Sequence, residues 1–159
     1  MKNQKINATL VNPFIKSAVD VFKQLFSTAL TKKDLILKKD PTASYEVAII
    51  IGISGAHHTG VVVFSMKKYT ALKLVGVLDS DITEKNSEHF SDAIGELGNI
   101  ISGNALSEFA KNKIEMNLTT PTVIIGDAFE MHLLEQTTLS AMMTSIFGDI
   151  EINVAIKEF

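Results

Sequence analysis

Residues 87–111 carry a long helical repeat that is interrupted by three glycines, Gly95, Gly98 and Gly103. Each glycine inside a helix costs about 1 kcal/mol relative to alanine, so three of them close together require a reason. At 100° per residue, Ile94, Leu97, Ile101, Ala105 and Phe109 share one side, an apolar face for a core. Asp92, Glu96, Asn99 and Gly103 fall on the opposite side, at i, i+4, i+7 and i+11. That side shows two carboxylates, a carboxamide and then bare backbone, which suits the close approach of another surface. Periodicity alone leaves this stripe open between a solvated helix face and a binding face.

The rest of the chain supplies elements for this helix to pack on. Asn12 and Pro13 read as the N-cap and first position of an opening helix. Phe14, Ile15, Ala18, Val19, Phe22, Leu25 and Phe26 form its apolar face, and the helix is expected to end near Ala29 or Leu30. The lysine-rich connection that follows holds a short strand at Leu35–Leu37. Tyr45–Ile53 is β-branched and reads as a central strand, paired through a turn at Ser54–Ala56 with His58–Phe64. Ser65 is placed to cap a second helix over Met66–Leu78.

After the glycine-bearing helix, short strands are expected at Ile114–Leu118, Pro121–Gly126 and Phe129–Leu134. Pro121 lacks an N–H and belongs at a strand start or edge. Thr137–Ile146 and Ile150–Lys157 flank Phe147-Gly148-Asp149, a hairpin signal. Ile150, Ile152, Val154 and Ile156 alternate with Glu151, Asn153, Ala155 and Lys157, the pattern of a half-buried strand. Three main helices and about six strands make an α/β sandwich with a mixed, mostly antiparallel sheet.

Composition bounds the chemistry. A chain of 159 residues, 46% hydrophobic and 21% charged, fits one globular domain over residues 1–159. A net charge of −3 and a pI near 5.8 argue against a nucleic-acid binder. With no cysteine, disulfides and thiolate chemistry are excluded. No stretch is long and apolar enough to span a membrane, and the start MKNQKINATL lacks the apolar core of a signal peptide, so a cytoplasmic protein is expected. His57 and His58 point to opposite faces of a strand, and His89 and His132 have no ligand spacing, so no metal site is expected. Asp79-Ser80-Asp81 lacks the twelve-residue calcium loop. There is no P-loop, dinucleotide fingerprint or Gly-x-Ser-x-Gly elbow.

The run AIGELGN, followed about twenty residues later by TTPTVIIG, resembles the CheX branch of the CheC/CheX/FliY family, phosphatases of the chemotaxis response regulator CheY. That family's pattern is an acidic residue or Ser, three residues, Glu, two residues, Asn, then Pro some twenty residues on. Asp92, Glu96, Asn99 and Pro121 occupy those positions. LVNPFIKSAVDVF is similar to the family's opening helix and TALKLVGVL to the helix before the motif, so the resemblance covers nearly the whole chain. CheC and FliY members generally carry two Glu-x-x-Asn signatures and CheX members one. Here the opening helix has Asp20 and Gln24 but no matching Glu and Asn, which favours CheX and a single site.

The resemblance implies a CheC-like fold and hydrolysis of an aspartyl phosphate on a CheY-like response regulator in chemotaxis or related two-component signalling. Asn99 is neutral and cannot act as a base, but its amide accepts and donates and so can position a water. Glu96, one turn away, would pair with the regulator's active-site lysine. Asp92, Gly103 and Pro121 would support the site or touch the partner. No cofactor is implied for this chain; the divalent metal would sit on the regulator. CheX relatives join sheets into homodimers, and the closing hairpin and the strands near Val47 and Val61 are the edges expected to do so here. Two other classes fit the same residues: a non-catalytic module that docks on a regulator or switch protein, and a domain that shares only the fold.

Overall fold

The computed structural model describes residues 7–83, 87–126 and 136–159. Among these residues three helices, α1 (Ala8–Phe26), α2 (Lys68–Leu78) and α3 (Ser87–Lys111), pack with one sheet of seven strands. The strands are β1 (Thr31–Lys38), β2 (Val47–Ser54), β3 (His58–Met66), β4 (Asn117–Leu118), β5 (Thr122–Ile125), β6 (Thr138–Ser145) and β7 (Gly148–Glu158). Their order is β1-β6-β7-β3-β2-β4, and β5 also pairs with β2. The mostly antiparallel sheet and three main helices match expectation, and every described pairing is antiparallel. The expected strand at Phe129–Leu134, together with His132, lies outside the described residues.

One row of cross-strand partners runs Val123, Ile49, Phe64, Ile152, Ala141, Leu35. Alternation along each strand sends this row and its i±2 neighbours to the helix side. Val47, Ile49, Ile51, Val62, Phe64, Ile152 and Met143 form that side of the core. Against them lie Phe14 and Phe22 of α1, Leu74 of α2, and Ile94, Leu97, Ile101, Ala105 and Phe109 of α3. All five predicted apolar positions of α3 are buried. Phe14 of α1 meets Phe109 of α3 edge-on, with ring centroids 5.5 Å apart.

Several local expectations fail for identifiable reasons. The first helix begins at Ala8, capped by Asn7 accepting the Thr9 N–H at 3.0 Å, so Asn12 is not its cap. Pro13 sits inside the helix; the carbonyl it leaves without a donor belongs to Thr9, an exposed residue that water can reach. The helix also stops earlier, at Phe26, because Ser27 takes a left-handed conformation with φ 50. Ser65 does not cap α2: it lies within a longer β3 that runs to Met66, is buried, and accepts the Tyr45 N–H at 3.0 Å. Lys67 stands at that helix start instead, without a side-chain cap.

The last strand is not half-buried. Glu151, Asn153 and Ala155, assigned by alternation to a solvated face, are as buried as Ile152 and Val154. Chain between β1 and β2 covers that outer face. Glu151 accepts from Ser44 N at 3.1 Å and Ser44 Oγ at 2.6 Å, and lies 3.5 Å from Lys38 Nζ. The Asn153 amide donates to Glu151 at 2.8 Å and to the Thr42 carbonyl at 3.2 Å. Polar alternation here encodes a buried seam whose hydrogen bonds offset much of what burial would otherwise cost, with Asn153 Oδ1 left without a partner among the described residues.

Candidate functional site

The site is built from the middle of α3 where it crosses β2 and β5. Asp92, Glu96 and Asn99 are exposed along one line of the helix, as is Gly103. Helical geometry puts Asn99 about 4.5 Å along the axis from Glu96 and about 60° around it, so a carboxylate and a carboxamide stand side by side. Among the described residues, none of Asp92, Glu96 and Asn99 makes a side-chain hydrogen bond or an ion pair. Their polar atoms face outward and uncommitted, as a stripe that meets another molecule requires.

The opposite side of the same turn is tightly held. Past the end of α3 the chain turns at Lys113 (φ 56) and returns along the edge of β2. Thr119 then clamps Gly52: its N–H donates to the Gly52 carbonyl at 3.0 Å, and its Oγ1 accepts the Gly52 N–H at 2.8 Å. Two residues later Pro121 precedes β5 and lies against Gly98, on the helix turn that bears Glu96 and Asn99. Pro121 thus occupies the strand start expected of it and faces the helix rather than the exposed stripe.

The three glycines of α3 separate in the structure. A Cβ on Gly98 would stand 2.8 Å from Ile49 Cγ2 and 3.1 Å from Pro121 Cγ; on Gly95 it would meet Val123 at an ordinary 3.7 Å; on Gly103 it would meet nothing within 4 Å. Sequence reasoning flagged all three glycines but missed Ile49, which lies far from the motif and becomes its neighbour only when the helix packs on the sheet, and Thr119, which ties the chain before Pro121 to β2. Ser102 was also missed; its hydroxyl donates to the Gly98 carbonyl at 2.8 Å. The i+4 spacing of a Ser after a Gly was the signal available for it.

The other candidates do not form a site. His58 Nε2 faces Glu158 Oε1 at 3.3 Å as a cross-strand pair, while His57 lies in the preceding turn and His89 is exposed on α3. No group of three or more His, Cys, Asp or Glu able to hold a metal is found among the described residues. Asp79 accepts the Asp81 N–H at 3.0 Å, a local turn. No described helix is long and apolar enough to cross a membrane.

The family model described as chemotaxis phosphatase CheX matches residues 47–147, a span running from β2 through α3 to the β6–β7 turn. The chain belongs to the CheX family. It is 21% identical to the CheY-P phosphatase CheX of Thermotoga maritima over 155 residues, covering 96% of this chain and 98% of that one. A CheC-like superfamily protein from Shewanella sp. PV-4 superposes with a TM-score of 0.85 at 25% identity, covering 96% of this chain and 99% of the other. CheX of Borrelia burgdorferi, solved as a CheX–CheY–BeF3–Mg2+ complex, superposes with a TM-score of 0.77 at 23% identity, covering 97% and 100%. CheX membership agrees with the single Glu-x-x-Asn signature on α3.

Proposed function

We propose that this chain is a phosphatase of a phosphorylated, CheY-like response regulator, with Glu96 and Asn99 of α3 as the residues that meet it. The observation that carries the reading is the pair itself: a carboxylate and a carboxamide, exposed, adjacent and without partners among the described residues, on a helix whose other side is fixed to the sheet. The family membership and the Borrelia CheX–CheY complex support the choice of partner.

In this reading a water oxygen attacks the phosphorus of the regulator's aspartyl phosphate. The P–O bond to the acyl oxygen breaks, the aspartate leaves as a carboxylate, and inorganic phosphate is released with the water's protons. A carboxylate is a good leaving group, so general-acid help is not needed. The missing element is a water held in line, and positioning with electrostatics is most of what phosphoryl-transfer catalysts supply. The Asn99 amide accepts from that water or donates to it. Glu96 pairs with the regulator's active-site lysine and sets the docking register. The divalent metal belongs to the regulator, and Asp92 and Gly103 flank the contact.

The same chain is proposed to form a two-fold homodimer, but through a different edge from the one expected. Val61 lies in β3, between β7 and β2, and Val47 lies in β2, between β3 and β5; the closing hairpin is flanked by β1 and β3. None of these is an edge. Among the described residues β1 pairs with β6 alone, and it exposes Leu35 by 44%, Ile36 by 50% and Leu37 by 68%. Antiparallel self-pairing centred on Ile36 sets Leu35 opposite Leu37 and Asp34 opposite Lys38, a self-complementary register.

Phosphate release from a panel of phosphorylated response regulators tests the function. Acceleration for at least one regulator, lost in Asn99→Ala, is expected. Binding without any acceleration would replace the enzyme by a non-catalytic docking module.

A further inference from the structure

We infer that Gly98 is a positioning residue for the helical turn carrying Glu96 and Asn99, with Ile49 and Pro121 as its seat; the inference rests on the phosphatase reading above. Of the three glycines of α3, Gly98 is the one whose missing side chain is required by contact, since a Cβ there would stand 2.8 Å from Ile49 Cγ2 and 3.1 and 3.2 Å from Pro121 Cγ and Cβ.

Neither neighbour can retreat. Ile49 is fully buried in the sheet interior, between β3 and β5, and Cγ2 is fixed at its branch point next to the backbone. Pro121 is a closed ring whose preceding chain is tied to β2 through Thr119 and Gly52. Any side chain at position 98 must therefore move the helix. Ordinary contact between carbons is about 3.5–4.0 Å, so the turn would rise or rotate by about 1 Å.

Asn99 is the next residue and Glu96 lies two before, so both ride on this displacement. The two roles tolerate it differently. In-line placement of a water fails steeply, by about 10²-fold for a misplacement of about 1 Å. A solvent-facing carboxylate on a flexible side chain can still reach a lysine across the same distance. Gly98 thus matters for turnover more than for docking. Ser102, donating to the Gly98 carbonyl, holds the same turn from within the helix.

The test compares wild type, Gly98→Ala, Ile49→Leu, their combination, and Gly95→Ala. Ile49→Leu removes the branch methyl while keeping the volume. Single-turnover phosphate release and calorimetric affinity for a phosphate-mimicking regulator are measured separately, with unfolding midpoints. Gly98→Ala is expected to lose about 100-fold in turnover while affinity stays within about threefold. Adding Ile49→Leu should restore about tenfold of that loss, and Gly95→Ala should keep wild-type turnover. Wild-type turnover in Gly98→Ala would overturn the inference. So would a loss that Ile49→Leu fails to restore, or one matched by an equal loss of affinity. Should Gly98→Ala not fold, the combined variant set against Ile49→Leu supplies the comparison. A wild-type chain that releases no phosphate would instead defeat the phosphatase reading. The unfolding midpoints then decide the seat: coupling between positions 98 and 49 supports it, and additivity overturns it.

Discussion

The Ser17 hydroxyl of α1 donates to the main-chain carbonyl of Ile101 on α3, inside the interface where the two helices pack. The bond joins the opening helix to the helix that carries the site, one turn beyond Gly98. A buried hydroxyl lacking this acceptor would be left unsatisfied, so the pair fixes the axial position of α1 against α3 as well as their contact. Ser17→Ala is expected to cost about 1 kcal/mol in denaturant unfolding, the usual net value of such a bond. An unchanged midpoint would show that the bond contributes nothing.

Gly103 separates intrinsic helix stability from partner contact. Its Cβ direction is open, so Gly103→Ala should raise the stability of the isolated chain by about 1 kcal/mol. The added methyl then stands on the exposed stripe and should weaken regulator binding. Gly76→Ala on α2, equally open, should stabilise the chain and leave binding alone. Equal affinities for both variants in calorimetry would remove Gly103 from the contact.

Asn99 and Glu96 should fail in different ways. Asn99→Ala is expected to abolish phosphate release with regulator affinity nearly intact, because the water contact matters chiefly in the transition state. Glu96→Lys should weaken binding itself, by at least the roughly 2–5 kcal/mol lost when one member of a buried ion pair is truncated. Full activity in Asn99→Ala would refute water positioning, and normal binding by Glu96→Lys would refute the docking role.

The β1 edge predicts the assembly. Ile36→Lys sets two like charges against each other at the two-fold centre, and should give a monomer by light scattering at micromolar concentration. A wild-type monomer under the same conditions would eliminate the dimer, and a dimer that survives the substitution would move its interface elsewhere.

Acid should loosen the α1–α3 contact. Hydrogen bonds from Lys111 and then Lys16, each at 2.8 Å, hold the Glu108 carboxyl below its ordinary value. A depressed carboxyl stabilises the fold above the unfolded value of about 4.3, and that contribution is lost as pH falls through the lower folded value. Stability should therefore drop on that acid limb, and Glu108→Gln should flatten the drop. The lysines are largely solvated, so the effect is small and shrinks in high salt. A pH profile identical in the two proteins would show that the pair does not act.

The sequence by itself determined α3 over Ser87–Lys111, its buried face and its exposed stripe, because 3.6-residue periodicity is a local property written in consecutive residues. It also determined β2, β3 and the closing hairpin as elements, and the family pattern at Asp92, Glu96, Asn99 and Pro121. Strand order was not legible, since pairing partners lie far apart in sequence: Val61 looked like an edge until β7 took its place beside β3. The two-sided burial of β7 was hidden for the same reason, as Ser44 and Thr42 arrive from more than a hundred residues away. The boundary at Ser27 turned on a single left-handed dihedral and that at Ser65 on a long-range hydrogen bond, while at Asn7 one local cap took the place of the one expected at Asn12. Tertiary structure alone decided which glycine of the motif is a contact. Gly95, Gly98 and Gly103 are chemically identical in the chain, and only the placement of Ile49 and Pro121 beneath one of them gives that glycine a structural requirement.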